Sequence, residues 1–163
     1  LVNYIFKTKV HNHSEIKQNL LDLINLIPTN PIKNETDNIF HTDYNLPSSM
    51  HREYFKLFAS TINNHLQKMV DELQVGKCEI STYWFQRYGR NGTHHWHTHS
   101  CCNYANVYFV ECPAGYSTKF KHFTEDCEEG DILSFPAFLP HMSPQIQDDS
   151  IKTIIGFNTD FYT

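Results

Sequence analysis

No stretch of this 163-residue sequence gathers Lys and Arg into a basic cluster, and the formal charge is −5. A phosphate-binding footprint is therefore missing, which argues against a nucleic-acid partner. No apolar run approaches the roughly 20 residues of a membrane span, and no charged-then-apolar leader opens the chain. The thiols Cys78, Cys101, Cys102, Cys112 and Cys127 include no C-x-x-C pair, so neither a redox motif nor a zinc knuckle is suggested. An odd set of cysteines in a chain too long to need staples reads as reduced thiols, and the expectation is a soluble, cytoplasmic protein. No internal repeat, low-complexity tract or linker divides the chain.

What is present is enough to fill one core. Hydrophobic residues make up 40% and aromatics 14%, as a single packed domain of this length requires. Val2–Val10 alternates loosely and predicts a first strand. Ser14 then stands as an N-cap before Ile16, Leu20, Leu21, Leu23, Ile24 and Ile27, whose spacing gives one apolar helical face that Pro28 and Pro31 end. Residues 29–49 read as a loop with one short strand around Ile39-Phe40. Ser48-Ser49 can cap a second helix over Met50–Leu73, with Tyr54, Leu57, Phe58, Ile62, Leu66, Met69, Val70 and Leu73 inward, Arg52 and Lys56 outward, and Gly76 as its stop.

From Cys78 the pattern changes to short β-rich runs: Glu79–Tyr88, Asn103–Val110, Ser117–Phe123, Asp131–Phe135 and Lys152–Phe157, with Gly89-Arg90-Asn91-Gly92 among the turns. Such spacing predicts a sandwich or barrel. The expectation is one domain over 1–163, mainly β, in which 1–77 is a helical support region and 78–163 supplies the strands that carry the site.

The chemistry gathers in His94-His95-Trp96-His97-Thr98-His99 and, far downstream, Pro140-His141. In an extended strand the side chains at i and i+2 point the same way, with Cα atoms roughly 6.5 Å apart. His97 and His99 can reach one ion from one face, and so can His95 and His97; spacing alone does not choose. A third ligand, His141, would come from a neighbouring strand. Imidazoles suit iron, zinc, copper and nickel, and three of them leave positions open for substrate. Nothing clusters His11, His13, His41, His51, His65 or His122, which read as ordinary core or surface residues. His94 and His95 read as supporting or substrate-side residues.

These segments resemble a known family. His97-Thr98-His99-Ser100 through Val110 is similar to the metal-binding strand of 2-oxoglutarate/iron(II)-dependent oxygenases, above all a small branch common in phages and marine bacteria. Glu129-Gly130-Asp131-Ile132-Leu133-Ser134-Phe135-Pro136 with Pro140-His141, and then Ile151–Asn158, are similar to that branch's later motifs. The likeness spans Cys78 to the end; the helical part is generic. It implies a double-stranded β-helix, a cupin-like jelly roll buttressed by helices, in a bacterial or phage-infected cytoplasm. It also selects His97/His99 with His141 as ligands of Fe(II), and Lys152 as the anchor of the cosubstrate 2-oxoglutarate. Tyr108 and Asn158 are implied in the cosubstrate pocket beside it, and Tyr83, Trp84, Tyr88 and Ser143 are candidates for its lining.

Two departures from the family pattern carry weight. The superfamily at large uses two His and one carboxylate, whereas the middle ligand here is His99. Lys152 replaces the usual Arg, a compact charge in place of a bidentate fork, with ten residues between it and His141. Asp131 reads as a turn residue opening a strand, and Asp43 or Glu111 would join the metal only if the fold brought them in. The implied activity is hydroxylation of a small-molecule or peptide substrate, coupled to decarboxylation of 2-oxoglutarate to succinate. Three imidazoles also fit a cupin-like dioxygenase that needs no 2-oxoglutarate, or a metal-binding jelly roll without turnover.

Overall fold

Alternation along two long strands organises the molecule. The computed structural model describes residues 4–163. Strand β5 (Lys77–Tyr88) pairs along its whole length with the closing strand β11 (Lys152–Tyr162), antiparallel, with Lys152 opposite Tyr88 and Gly156 opposite Trp84. Around this pair lie β1 (Phe6–Lys9), β4 (His41–Thr42), β7 (Tyr104–Glu111) and β9 (Asp131–Pro136), in the order β1-β9-β7-β11-β5-β4. The N-terminal half thus supplies both edges of the main sheet besides the helices. Val2 and Asn3 of the expected first strand lie outside the described residues; the rest is shortened to Phe6–Lys9.

One face of this sheet carries Tyr83, Phe85, Tyr108, Val110, Ile155 and Phe157, packed on helix α1 (His13–Asn25) and helix α2 (Phe55–Leu73) through Leu20, Ile24, Phe58 and Ile62. Each such side chain, taken fully out of water, stabilises the fold by roughly 1.5–3 kcal/mol. The other face carries Tyr88, Ala105, Val107, Phe109, Leu133, Phe135 and Ile154. Over it lies a small sheet of β6 (His94–His97), β10 (His141–Ser143) and β8 (Lys119–Phe120), in the order β6-β10-β8. A short hairpin, β2 (Ile32–Lys33) with β3 (Asn38–Ile39), bridges to Thr93 at the entrance to β6.

Both helix starts differ from the sequence-based expectation. Helix α1 begins at His13, with Ser14 already inside it, because His13 turns inward to share a hydrogen bond with the Tyr108 hydroxyl (2.7 Å). Helix α2 begins only at Phe55, and neither Ser48 nor Ser49 caps it. The cause is Arg52, expected outside but buried: it pairs with Asp43 (2.9 Å) and donates to the carbonyls of Asp43, Leu46, Pro47 and Met50, holding 43–54 as a loop. Helix α2 ends on Gln74 in the left-handed region (φ 55°) rather than at Gly76. The expected run Ser117–Phe123 keeps only two residues in strand form.

Candidate active site

His97, His99 and His141 converge between the two sheets, each offering a ring nitrogen within 4.8 Å of the others'. Pairing of β10 with β6 sets His141 directly opposite His97. His99 lies just past the end of β6, where its backbone N–H donates to the Ala137 carbonyl (2.9 Å). The ring of His97 donates from Nδ1 to its neighbour's carbonyl at His95 (2.7 Å). His141 donates from Nδ1 to the Leu139 carbonyl (2.9 Å), and His99 from Nδ1 to Asn158 Oδ1 (2.6 Å). A carbonyl oxygen can only accept, so the proton of each ring is fixed on Nδ1 and the Nε2 lone pair is left for a cation. Burial holds all three imidazoles below the ordinary histidine value, His141 down to about 3, so they are neutral at neutral pH.

Asn158, expected against the cosubstrate, lines the same cavity. Its side chain also holds His99: Nδ2 donates to Thr82 Oγ1 (2.9 Å), which turns Oδ1 to the imidazole. Beside it the Trp84 indole lies across Gly156 and within 5.9 Å of the His99 ring. A Cβ at Gly156 would stand 2.9 Å from that indole, so glycine is what lets Trp84 lie there.

Lys152 is wholly buried, lines the same cavity, and donates to Ser143 Oγ (2.8 Å). Its ammonium sits 5.4 Å from the centre of the Tyr88 ring. Among the described residues no carboxylate pairs with it. Burial lowers its pKa to about 8. An enclosed ammonium without a protein anion is costly, and its hydrogen-bond partner among the described residues is the Ser143 hydroxyl.

Tyr108 is a correction. On β7 the side chains alternate, so Val107 faces the cavity while Tyr108 faces the helices and His13. It cannot touch a ligand bound near Lys152. Nor does a carboxylate join the three imidazoles. Asp43 is consumed by Arg52, by the Tyr54 hydroxyl (2.7 Å) and by the Phe85 N–H (2.8 Å). Glu111 accepts from Thr153, and Asp131 pairs with Lys9 at 2.9 Å on the far edge of the sheet. The donor set is three neutral imidazoles, which fits iron(II) as it fits other divalent first-row metals.

The cavity between these groups measures about 930 Å³. It also holds His94, read from the sequence as a supporting or substrate-side residue. Four residues of β6, from His94 to His97, answer three of β10, from Ser143 to His141; this irregularity turns His94 onto the same side as His97. The two rings stack at 3.9 Å. Asp37, in the turn of the β2–β3 hairpin, accepts the His95 N–H (2.9 Å) and so ties the hairpin to the strand that carries His97. Neither contact leaves a trace in the spacing of the residues. The five cysteines are free thiols, and no described helix is long and apolar enough to cross a membrane.

No protein-family model and no curated protein matches the sequence. Solved structures do. One is an oxidoreductase of the 2OG-Fe(II) oxygenase family from Burkholderia pseudomallei, with a TM-score of 0.73 and 9% identity over 96% of this chain and 85% of that one. A second is the viral collagen prolyl hydroxylase of Paramecium Bursaria Chlorella virus-1 in its 2OG complex (TM-score 0.65, 14% identity, 99% and 97% of the two chains). A third is HygX from Streptomyces hygroscopicus with nickel and 2-oxoglutarate bound (TM-score 0.62, 12% identity, 98% and 83%). The architecture is therefore the double-stranded β-helix found in these oxygenases.

Proposed function

We propose that this chain, as a single domain, is an iron(II)- and 2-oxoglutarate-dependent oxygenase that hydroxylates a small-molecule or peptide substrate. His97, His99 and His141 would hold the metal and Lys152, with Ser143, the distal carboxylate of 2-oxoglutarate. When bound, iron(II) and 2-oxoglutarate supply, with oxygen, oxidative decarboxylation to succinate and carbon dioxide and the hydroxylation of a C–H bond.

The observation that carries the reading is the buried ammonium of Lys152, free of any carboxylate, in one cavity with three imidazoles whose Nε2 atoms are free. A diacid fits both ends of that arrangement. Its carboxylate would displace none of the protein's own ion pairs, and the Ser143 hydroxyl would add a second hydrogen bond. Asn158 and the His95 and Leu139 carbonyls hold the three rings in the orientation needed, so little ordering remains when the metal arrives. The surrounding Tyr88, Phe109 and Ile154 keep water from the ammonium.

The all-imidazole donor set is also what a cupin-like dioxygenase independent of 2-oxoglutarate would use. Anaerobic titration with Fe(II), with and without 2-oxoglutarate, separates the two. A weak visible charge-transfer band that needs 2-oxoglutarate, followed by succinate release on admitting oxygen, is the expected result. Metal binding without that band would transfer the chain to the second reading. If His97→Ala leaves the metal content unchanged, neither reading stands.

A further inference from the structure

We propose that the substrate is an extended, uncharged polypeptide segment that docks as an added strand along the free edge of β5, beside Ile80–Trp84. This rests on the oxygenase reading and narrows its substrate to one class.

In the main sheet β5 has β11 on one side and, on the other, only β4, which reaches no further than Gln86 and Arg87. One residue on, side chains replace a strand: Asp43 accepts the Phe85 N–H (2.8 Å) and the Thr42 hydroxyl donates to the Phe85 carbonyl (2.5 Å). Backbone groups along a strand alternate between its two edges. Arg87 and Phe85 present theirs to this edge, so Tyr83 is the next to do so. No described strand pairs with it there. Open edges of this kind accept extended peptides.

The cavity runs along that edge. Ile80, Ser81, Thr82, Tyr83 and Trp84, five consecutive residues, all line it. Ser81 and Thr82 are exposed and lie beyond the end of β4, so this stretch of the edge is open to the cavity. Tyr44 meets Trp84 edge-on at 5.3 Å and Phe55 stacks on Tyr83 at 4.3 Å, so an aromatic ring flanks this edge on each face of the sheet. Trp84 in turn adjoins His99, so the slot opens onto the three imidazoles. Four residue steps at roughly 3.4 Å give it a length on the order of 14 Å.

Charge selects the occupant. The ionised residues at this end, Asp43 and Arg52, neutralise each other at 2.9 Å, so a charged group in the slot would lose water and gain no partner. An anionic nucleotide is disfavoured for that reason. A sugar or a free amino acid lacks N–H and C=O groups repeating at strand spacing. An extended polypeptide supplies both for the Tyr83 edge, and its alternate side chains would face the slot and the imidazoles.

The test is a positional-scanning library of neutral, end-blocked nonapeptides given to the full chain with iron(II), 2-oxoglutarate and oxygen, and read by mass spectrometry for the gain of one oxygen atom. The best peptide is then bound to metal-free protein by fluorescence polarisation. N-methylation of alternate peptide N–H groups is expected to weaken binding at least tenfold in one register and little in the other. Tyr83→Pro, which removes the N–H of that edge, should lose peptide binding; the N-methylated peptides give the answer if that variant does not fold. Failure to oxygenate or retain any library peptide, or N-methylation without register dependence, overturns the proposal. If succinate release fails while register-dependent binding persists, the oxygenase reading falls and the docking edge stands.

Discussion

The Lys152 ammonium and the Ser143 hydroxyl share a 2.8 Å hydrogen bond at the wall of the cavity, and among the described residues no carboxylate pairs with the ammonium. Ser143 lies two residues after His141 on the same short strand, so the partner of the Lys152 ammonium and one of the three clustered imidazoles come from one element.

Lys152→Met is expected to separate stability from binding. Met fills the space against Tyr88 and Phe109 without a buried charge, so thermal unfolding should rise by a few degrees, at about 2–4 °C per kcal/mol for a domain of this size. Affinity for 2-oxoglutarate should fall by about 2–5 kcal/mol, thirtyfold or more. Calorimetric unfolding and titration with 2-oxoglutarate in the presence of a redox-inert divalent metal give both numbers; an unchanged affinity would remove Lys152 from the site.

The same lysine sets a pH limit. Burial lowers its pKa to about 8 in the free protein, so the ammonium is present below that pH and is lost above it. Dissociation constants for 2-oxoglutarate are expected to be flat below pH 8 and to weaken above it, by at most about tenfold per unit. Lys152→Arg, which keeps its charge, should flatten the alkaline limb. The profile is measured by titration from neutral to alkaline pH.

Asn158→Ala removes the acceptor that holds the His99 ring. Metal affinity should drop by about 10–100-fold, the usual cost of losing such a partner, with the fold intact by circular dichroism. Competition against a chelator reads the affinity, and Thr82→Val should show a smaller loss in the same direction.

His65 gives an acid limit unrelated to the site. It is buried between Thr8 Oγ1 and Ser134 Oγ, each 2.7 Å away, and burial lowers its pKa to about 4. The folded state therefore binds this proton less readily than the unfolded chain. Its stabilisation is complete above the ordinary histidine value, near 6.5, and is lost as the pH falls towards 4. That contributes a slope of up to about 1.4 kcal/mol per unit. Urea midpoints at pH 7 and pH 5 should show a shallower dependence in His65→Leu.

Arg52→Ala is expected to cost about 3–5 kcal/mol, because it leaves Asp43 buried without its cation. The same change frees the loop that faces the β5 edge. Equilibrium unfolding in urea measures the loss; a change under 1 kcal/mol would mean that the loop is held by other contacts.

By itself the sequence determined which residues could act. Short β-rich runs broken by turn residues marked β5, β7, β9 and β11, apolar spacing marked two helices, and the i, i+2 relation put His97 and His99 within reach of one ion. These are local properties, set by backbone geometry and hydrophobic pattern, and they survive without knowledge of any neighbour. Only the tertiary structure decided which strands meet. Pairing of β10 with β6 brought His141 to His97, and an irregularity in that pairing turned His94 inward. Strand parity sent Tyr108 to the helices, and a contact across 59 residues gave Asn158 to His99. Arg52 read as an outward helix residue until Asp43, nine positions away, drew it in. Register and burial are settled by the joint packing of distant segments, and one residue of slip exchanges the two faces of a strand.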